Sequence, residues 1–405
     1  MQSSIMSSLR AEAIDAPASQ IIEIIKYADG KDDITPLWAG QGVLPTPDFI
    51  CDAATRSLAA GETFYTYQRG IPELRAAIAR YHERLYGRPF DPERFFVVGS
   101  GMQAIQMAVR MVAGPGDEIV LPTPAWPNLS AAVGIASAKA VEVPMQFRPE
   151  GWHLDLDALF GACTERTKAI FINSPSNPTG WVADEAELRA ILAFAREKGI
   201  WIIADEIYTR FYYGEGRDTA PSFYEIMDED DRILFVNSFS KNWAMTGWRV
   251  GWISAPPAMG DIIENLIQYS TSGVAVFMQR AAIAALEDGE AFVTRQIEQA
   301  RVGRSKLLEA FEGNNQLRFA APKGSFYFFF GLADEPDAWP LTKQLVDEAK
   351  VGLAPGFAFG QSGCAFMRLC FATTSEQMDR AVMRLNRWLS ARDAMPERVL
   401  DLEQA

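Results

Sequence analysis

The amino-acid sequence predicts an α/β protein with two parts: a large domain, whose mostly parallel central sheet is covered by helices, and a smaller α+β domain. Between residues 95 and 255, short apolar runs alternate with segments of helical periodicity. The runs are too short for helices and are rich in β-branched and aromatic residues, which is typical of buried strands. Strands that alternate with helices indicate a parallel sheet with both faces covered. After about residue 256 longer helical segments predominate, which indicates a second architecture.

Each element of the large domain follows from its local pattern. The six apolar runs predicted to be strands are residues 95–98, 118–121, 168–173, 200–204, 233–236 and 250–254. Residues 184–198 predict a helix between the third and fourth of these strands. Their apolar residues form one stripe at helical spacing, and Gly199 follows as a stop signal.

The smaller domain is predicted from a different pattern. It consists of two helical segments and two strand-like runs, at residues 290–312, 375–391, 326–331 and 366–371. Residues before about position 50 are expected to complete it, and no low-complexity linker separates the two parts. We therefore predict a large domain of residues 50–285 and a small domain of residues 1–49 and 286–405, packed closely around a cleft.

Composition excludes several classes of protein. Hydrophobic residues make up 48% of the 405 residues and charged residues 22%, as in ordinary soluble domains. No apolar run approaches the roughly 20 residues of a membrane span, and Met1–Gln20 lacks the apolar block of a secretory signal. The formal net charge of −14 predicts repulsion from nucleic-acid phosphates and anionic lipids. We therefore expect a cytoplasmic protein with neither a nucleic-acid nor a membrane partner.

Cysteine and histidine are too few and too scattered for a metal site. The four cysteines form no CxxC pair, so free, mostly buried thiols are predicted. His82 and His153 are the only histidines, which leaves too few ligands for a histidine-rich metal centre. His153 lies in a strand-like setting that favours a structural role. No metal is predicted.

The segment after the fifth predicted strand has an unusual charge pattern. Residues 233–260 contain no acid, although the chain average would place between three and four there. Lys241 and Arg249 are its only charges, and Ser238 and Ser240 add hydroxyl groups. This pattern suits an anionic ligand, and a lysine in low-charge surroundings can have a lowered pKa and attack a carbonyl. A basic turn at the end of a strand is the alternative.

Two acids follow the fourth predicted strand. Asp205 and Glu206 end this strand, and ligands of open α/β sheets bind at the carboxyl edge. A carboxylate there can hold a protonated ring nitrogen, and Tyr208 can donate to a phenolate. Paired acids after a strand also occur in magnesium sites, so this alternative stays open.

A polar turn follows the third predicted strand. Pro175 and Pro178 make the turn rigid, and a rigid turn can present the side-chain amide of Asn177 to a ligand. A turn without a ligand explains the same residues.

Taken in order, these three motifs resemble those of the aspartate aminotransferase family. They are Asn177-Pro178, Asp205–Tyr208 and Ser238-x-Ser240-Lys241-x7-Arg249. The family comprises class I/II aminotransferases, which are fold type I enzymes that depend on pyridoxal 5'-phosphate (PLP). The similarity runs from about Trp38 to the C-terminal helix. It implies a fold type I PLP-transferase with a large PLP-binding domain and a small domain.

The resemblance implies roles for the residues around the cofactor ring. Lys241 resembles the lysine that carries PLP covalently and then moves a proton. Asp205 resembles the carboxylate that pairs with the pyridinium nitrogen and keeps the ring an electron sink. Tyr208 and Asn177 resemble the donors to the ring oxygen.

It also implies a phosphate site. Arg249, Ser238 and Ser240 resemble the side chains that hold the phosphate. Ser100, Gly101 and Met102 follow a predicted strand and open a helix, so their backbone amides resemble the turn that cradles the phosphate.

Two aromatic residues complete the implied cofactor site. Trp126 resembles the aromatic residue that stacks on the ring, although alone it would suggest a core residue. Tyr65 resembles the tyrosine that reaches the phosphate from the neighbouring subunit of a homodimer, although alone it would suggest an aromatic residue at a helix edge.

Arg368 is a charged residue in an apolar, strand-like run. Burying an unpaired arginine costs several kcal/mol, so a carboxylate partner is expected. A structural ion pair would satisfy it. In the family pattern this arginine binds the substrate α-carboxylate, and the backbone of Gly40 lies beside that carboxylate. With Trp126 and Asn177, these residues form the implied substrate site.

Departures from the family pattern bear on the substrate. No arginine occurs in residues 268–273, near where dicarboxylate-specific members supply one from the second subunit. Met102 stands where another branch has a lysine for the same distal carboxylate. Because Trp38 and Phe359 are expected nearby, we predict a neutral, aromatic or bulky amino donor and not a dicarboxylic one.

The predicted function is therefore that of a homodimeric PLP-dependent aminotransferase. It would transfer the α-amino group of an L-amino acid to a 2-oxo acid by a ping-pong mechanism. The alternative on the same fold is a PLP-dependent lyase, since β-elimination begins from the same Cα proton loss. A PLP-fold regulatory module would need a fused DNA-binding domain. The roughly 37 residues that precede the family-like region are too few for one. A magnesium phosphotransferase would need a phosphate loop that the sequence lacks.

Overall fold

The computed structural model describes residues 8–393, so the ends of the predicted small domain, residues 1–7 and 394–405, lie outside the described residues. Fifteen strands are numbered in chain order. They are β1 (Thr35–Pro36), β2 (Phe95–Val98), β3 (Glu118–Thr123), β4 (Lys139–Pro144), β5 (Gln146–Arg148), β6 (Gly151–His153), β7 (Thr167–Asn173), β8 (Trp201–Asp205), β9 (Ile233–Ser238), β10 (Gly251–Ser254), β11 (Leu317–Arg318), β12 (Tyr327–Leu332), β13 (Val351–Gly352), β14 (Ala354–Pro355) and β15 (Met367–Cys370).

Thirteen α-helices lie between and around these strands in the described part of the chain. They are α1 (Ala11–Ile14), α2 (Gln20–Ala28), α3 (Asp48–Ala59), α4 (Pro72–Tyr86), α5 (Gly101–Val112), α6 (Asn128–Ile135), α7 (Leu156–Gly161), α8 (Glu185–Lys198), α9 (Gly260–Gln268), α10 (Val276–Asp288), α11 (Glu290–Phe311), α12 (Ala338–Gln344) and α13 (Ser375–Asp393). No helix among residues 8–393 is long and apolar enough to cross a membrane.

The central sheet has seven strands in the order β2-β10-β9-β8-β7-β3-β4. All six predicted strands are present, and the α/β class is confirmed. Strand β10 runs antiparallel to both β2 and β9, so the sheet is mostly and not wholly parallel. The sequence pattern missed β4, because this edge strand is largely exposed or half-buried and therefore has no apolar run.

Both faces of the central sheet are buried, as the alternation of strands and helices predicted. Neighbouring residues of one strand belong to different clusters: Ile203 packs with α5, α6 and α9, whereas Ile202 packs with α7 and α8. The predicted helix over residues 184–198 is α8. Asp184 and Glu187 form a capping box at its start, and Gly199 ends it in the left-handed conformation with φ of 66°.

A second sheet lies in the C-terminal part of the chain. It has four strands in the order β11-β12-β15-β14, and its neighbouring strands are antiparallel. The long helices α11 and α13 pack on it around a core rich in phenylalanine. Strand β1 pairs with β13, so N-terminal residues join this unit. The domain boundaries stay a prediction, which the separation of the seven-stranded sheet from the four-stranded sheet supports.

All four cysteines and both histidines lie among the described residues. All four cysteines are free, as predicted, but only Cys370 is buried and the other three are half-buried. His82 is buried among aromatic rings, where its Nδ1 lies 2.9 Å from the carbonyl oxygen of Ile78, and burial lowers its pKa to about 4. His153 ends β6, so its strand-like setting is confirmed.

The topology brings three polar strand ends together. Strands β7, β8 and β9 are adjacent and parallel, and their last residues are Asn173, Asp205 and Ser238. The carboxyl ends of parallel strands meet at one edge of a sheet, where loops can build a site. The candidate site lies at this edge, between the central sheet and β12 and β15.

Candidate active site

A cavity of about 290 Å³ occupies the carboxyl edge of the central sheet. Of the fourteen residues predicted for the site, twelve line it. They are Gly40, Gly101, Met102, Trp126, Asn177, Asp205, Tyr208, Ser238, Ser240, Lys241, Arg249 and Arg368. The fold therefore brings residues that are more than 300 positions apart in the sequence, such as Gly40 and Arg368, into one small space.

Lys241 is a half-buried cation without an acidic partner in the described part of the chain. Its Nζ donates a hydrogen bond of 2.7 Å to the carbonyl oxygen of Gly40, and no carboxylate of the described residues forms an ion pair with it. Burial lowers its pKa to about 8. The nitrogen is therefore closer to its nucleophilic, neutral form at physiological pH than an ordinary lysine.

Asp205 and Glu206 face opposite sides of the strand end. Asp205 lines the cavity and accepts a hydrogen bond of 3.4 Å from the backbone N–H of Ile207, and burial raises its pKa to about 7. Glu206 instead accepts hydrogen bonds from Ser222 Oγ at 2.6 Å and the N–H of Phe223 at 3.2 Å. The two acids cannot share one magnesium ion, and residues 8–393 contain no group of three possible acidic, histidine or cysteine ligands.

Arg368 is buried and has its charge free for a ligand. Its Nη1 donates to Asn177 Oδ1 at 2.9 Å and its Nη2 to the carbonyl oxygen of Trp38 at 2.5 Å. The rings of Tyr327 and Phe359 lie 4.5 Å and 4.9 Å from its guanidinium carbon. No acid of the described chain pairs with it, and its buried Nε has no partner. A structural ion pair, the alternative reading of this arginine, is therefore wrong within this part of the chain.

The opposite end of the cavity suits a phosphate. Ser238 Oγ lies 2.9 Å from Ser240 Oγ, and both face the N-terminus of α5. A Cβ added to Gly101, the first residue of this helix, would lie 3.3 Å from the Cβ of Ser238, so glycine permits the close approach. Free N–H groups at a helix N-terminus attract anions, and hydroxyls add donors.

Arg249 and Ser100 complete this end in different ways. Arg249 has a left-handed backbone with φ of 54°, lines the cavity and donates to the carbonyl oxygen of Thr246 at 2.6 Å, while part of its side chain is exposed. Ser100 does not line the cavity. Its Oγ caps α5 by accepting from the N–H of Gln103 at 3.0 Å, which fixes the start of the helix.

The hydroxyl of Tyr208 forms a buried pair. It lies 2.8 Å from the hydroxyl of Tyr327, and burial raises the pKa of Tyr208 well above its usual value. Asn177 is held by its own N–H, which donates to Asn173 Oδ1 at 2.9 Å. Trp126 is half-buried and lines the cavity, so it is not only a core residue.

Tyr65 is the predicted residue that the described chain places elsewhere. It is 92% exposed and lies in the loop between α3 and α4, not at a helix edge. The loop carries two more exposed aromatic residues, Phe64 and Tyr67. No contact within this chain brings Tyr65 to the cavity.

Several lining residues were not predicted. Asn173 could have been found, because a polar residue ends a buried strand beside Asp205. Ile21 comes from helix α2, whose amphipathic pattern gives no sign that it borders a site. Tyr327 lies in the apolar run 326–331, where it reads as one more core aromatic.

Comparison with known proteins identifies the class. The family model for aminotransferase class I and II matches residues 33–385, so the chain belongs to this family. It is similar to the probable aspartate/prephenate aminotransferase of Aquifex aeolicus, with 34% identity over 88% of this chain and 91% of the relative. It is also similar to aromatic-amino-acid aminotransferase 2 of Thermococcus litoralis, with 31% identity over 92% and 95%.

Solved structures agree. The aspartate aminotransferase of Thermotoga maritima superposes with a TM-score of 0.86 and 29% identity, covering 94% of this chain and 100% of that one. The aromatic aminotransferase of Pyrococcus horikoshii gives a TM-score of 0.84 and 31% identity, covering 92% and 100%. The fold type I prediction is confirmed. The protein is an aminotransferase of a PLP-dependent family, and the lyase alternative is not favoured.

Proposed function

We propose that this protein binds PLP and moves the α-amino group of a neutral, aromatic or bulky L-amino acid to a 2-oxo acid by a ping-pong mechanism, as a cytoplasmic homodimer. One observation carries the proposal. The side chains of Lys241, which is half-buried, and of Arg368, which is buried, have no acidic partner among the described residues. They converge on the same cavity as the buried carboxyl of Asp205. Buried charges without partners are costly, so a ligand that satisfies them is expected.

The donor set fits PLP. A lysine with a lowered pKa suits the aldehyde, and the carboxyl of Asp205 suits a protonated ring nitrogen. The serine hydroxyls, Arg249 and the start of α5 suit the phosphate, and Trp126 offers a flat apolar surface to the ring. When bound, PLP supplies an electron-poor ring that accepts the electron pair left at Cα after proton loss.

Lys241 is the proposed acid and base. Its pKa of about 8 lies near the working pH, where a group can both take and return a proton efficiently. In its neutral form Nζ takes the Cα proton of the amino acid, and in its charged form it returns a proton. The carbonyl of Gly40, which accepts from Nζ at 2.7 Å, holds the nitrogen at the substrate end of the cavity.

Arg368 is the proposed seat of the substrate α-carboxylate. Two parallel N–H groups of a guanidinium match two carboxylate oxygens, and the charge is desolvated before the substrate arrives. Asn177 and the carbonyl of Trp38 fix the orientation of the guanidinium, so it is already aimed when a ligand binds. Gly40 leaves the space beside it open.

The remaining wall of the cavity supports a donor with an uncharged side chain. Ile21, Met102 and Ile105 line it together with Trp126. Among the described lining residues the cations are Lys241, Arg249 and Arg368, each already assigned, so none is left for a distal carboxylate. Apolar walls bind an apolar side chain through burial of its surface, at about 25 cal/mol per Å².

Exposed aromatic residues support the proposed homodimer. Phe64, Tyr65 and Tyr269 are 82%, 92% and 87% exposed, which is unusual for large rings on a soluble monomer. A second subunit that covers this surface would bury them. In that arrangement Tyr65 would reach the phosphate end of the partner's cavity, as in the family pattern.

The test of the chemistry is reduction of the protein with borohydride after it has been supplied with PLP, followed by peptide mass spectrometry. We expect one PLP adduct, at Lys241. The Lys241→Ala variant should give no adduct and no turnover. An adduct at another lysine, or an active Lys241→Ala variant, would overturn the assignment.

The test of the substrate is a panel of amino donors in steady-state assays. We expect phenylalanine, tryptophan or leucine to have a higher kcat/KM than aspartate. A kcat/KM for aspartate far above those of the neutral donors would contradict the proposal. Product analysis separates transfer from elimination, because a lyase would release ammonia without any need for a 2-oxo acid.

A further inference from the structure

Tyr327 contacts both Tyr208, proposed to donate to the cofactor ring, and Arg368, proposed to bind the substrate carboxylate. None of the roles above includes Tyr327. It opens strand β12, is fully buried and lines the cavity. Its hydroxyl lies 2.8 Å from the hydroxyl of Tyr208. The centroid of its ring lies 4.5 Å from the guanidinium carbon of Arg368.

The sheet register holds Tyr327 in this place. Strand β12 pairs with β15 so that Phe329 lies opposite Arg368 and Tyr327 lies opposite Cys370. Tyr327 and Phe329 are two residues apart, so both side chains lie on the sheet face of Arg368. A Cβ added to Gly40 would lie 2.8 Å from the Tyr327 hydroxyl, so glycine at position 40 leaves room for this hydroxyl.

We propose that Tyr327 is a positioning residue that links the arginine for the substrate carboxylate to the tyrosine that donates to the cofactor ring oxygen. The inference rests on the proposed function. A hydroxyl has one proton. When Tyr208 donates its proton to a ring oxygen, Tyr327 must be the donor within the tyrosine pair. The two hydroxyls then form a chain in which the proton of Tyr327 strengthens Tyr208 as a donor.

The ring of Tyr327 has a separate task. It lies against the guanidinium of Arg368, and the ring of Phe359 also contacts that group, at 4.9 Å. A cation held by aromatic faces keeps its orientation in a site from which water is excluded. The hydroxyl therefore acts on the cofactor end and the ring on the carboxylate end, so the two tasks can be separated by substitution.

The experiment compares Tyr327→Phe with the wild-type holoenzyme by titrating the absorbance of the bound cofactor against pH. When the Tyr327 hydroxyl is absent, Tyr208 becomes a weaker donor to the ring oxygen of the cofactor. More negative charge then stays on that oxygen, so the Lys241 nitrogen holds its proton to a higher pH. We expect the pKa read from the absorbance to rise by about half a pH unit. The KM for the amino donor should change by less than about twofold, because the ring is kept.

Tyr327→Leu removes the ring as well and should raise KM about three- to tenfold. Tyr213→Phe is the matched control. It removes a tyrosine hydroxyl that donates to the carbonyl oxygen of Ser325 at 2.6 Å, near the site but outside the cavity lining. The control should leave both the absorbance pKa and KM unchanged.

An unchanged absorbance pKa in Tyr327→Phe, or an equal rise in Tyr213→Phe, would overturn the inference. Tyr327→Phe keeps the shape of the buried ring, so it tests the inference even if Tyr327→Leu fails to fold. A wild-type protein that shows no cofactor absorbance after supply of PLP would instead refute the proposed function. The two failures are therefore distinguishable.

Discussion

The guanidinium of Arg368 donates a hydrogen bond of 2.9 Å from Nη1 to Oδ1 of Asn177. This bond joins strand β15 of the C-terminal sheet to the turn that follows β7 of the central sheet. It orients the arginine without neutralising it, because an amide oxygen carries no net charge. The positive charge therefore remains available, and the bond is a direct connection between the residue proposed for the substrate carboxylate and a residue proposed for the cofactor ring.

Arg368→Lys should raise the KM of the amino donor about 30- to 100-fold, with a much smaller change in kcat. Lysine keeps the charge but cannot offer two parallel donors, and the loss corresponds to about 2–3 kcal/mol. Steady-state kinetics measure both constants. Arg318→Lys is the control, because Arg318 stacks on Phe366 outside the cavity lining. An unchanged KM in Arg368→Lys would show that the carboxylate binds elsewhere.

Asp205→Asn should stabilise the cofactor-free protein at pH 8. Burial raises the pKa of Asp205 to about 7 from an ordinary value of 3.8, so the folded state binds this proton more tightly than the unfolded state. The wild type therefore loses stability as pH rises from about 4 to about 7, and the asparagine variant does not. At pH 8 the variant should be more stable by about 2–4 kcal/mol.

Thermal unfolding of both cofactor-free proteins at pH 5 and pH 8 checks this. The difference in favour of Asp205→Asn should be larger at pH 8 than at pH 5. Asp230→Asn, which replaces an exposed acid, should show no such pH-dependent gain. If the wild type is the more stable protein at pH 8, the carboxyl of Asp205 already has a partner inside the protein.

Local sequence pattern was enough for most of the fold and much of the site. Short apolar runs predicted the six strands, because strands buried on both faces are nearly continuous in apolar residues. Gly199 predicted the end of α8. The absence of acids around Lys241 and Arg249 predicted a candidate site, and both residues line the cavity. Strand direction is not visible in this way: residues 250–254 are as apolar as the parallel strands, yet β10 is antiparallel.

Tyr327 and Ile21 mark the limit of local pattern. Both line the cavity, but each reached it through contacts between parts of the chain far apart in sequence. The run that contains Tyr327 predicts a strand, whose side chains alternate between two faces, but it does not show which face meets the cleft. A tyrosine at this position is as typical of a core residue as of a site residue. Its role depends on the pairing of β12 with β15, which no local rule specifies.

Met102→Lys should give the enzyme activity on aspartate. Met102 is the second residue of α5 and lines the cavity. A lysine there would add a cation that could pair with a distal carboxylate, whereas the lining cations already present have other proposed roles. We expect kcat/KM for aspartate to rise about tenfold, equal to ~1.4 kcal/mol, and kcat/KM for an aromatic donor to fall.

Gln106→Lys is the matched control for Met102→Lys. It adds the same charge to the same helix, one turn further on and outside the cavity lining. Its kcat/KM values should stay close to those of the wild type. A similar gain on aspartate in both variants would mean that the added charge acts at long range, not by pairing with a distal carboxylate in the cavity.

Mixed dimers test whether Tyr65 acts across a subunit interface. In a dimer of one Lys241→Ala subunit and one Tyr65→Ala subunit, the two substitutions meet in one site if Tyr65 serves the partner. The other site then has a native lysine and a native tyrosine. If Tyr65 served its own subunit, each site would contain one substitution and neither would be intact.

Differently tagged subunits allow purification of the mixed dimer, and the assay uses PLP too dilute to saturate Tyr65→Ala. The mixed dimer should have about half of the wild-type activity, equal to a control dimer of wild type and Lys241→Ala, since each contains one intact site. Activity no higher than half that of the Tyr65→Ala homodimer would place Tyr65 in its own subunit's site. The 92% exposure of Tyr65 in the single chain favours the first outcome, because Tyr65 does not line the site cavity of its own subunit.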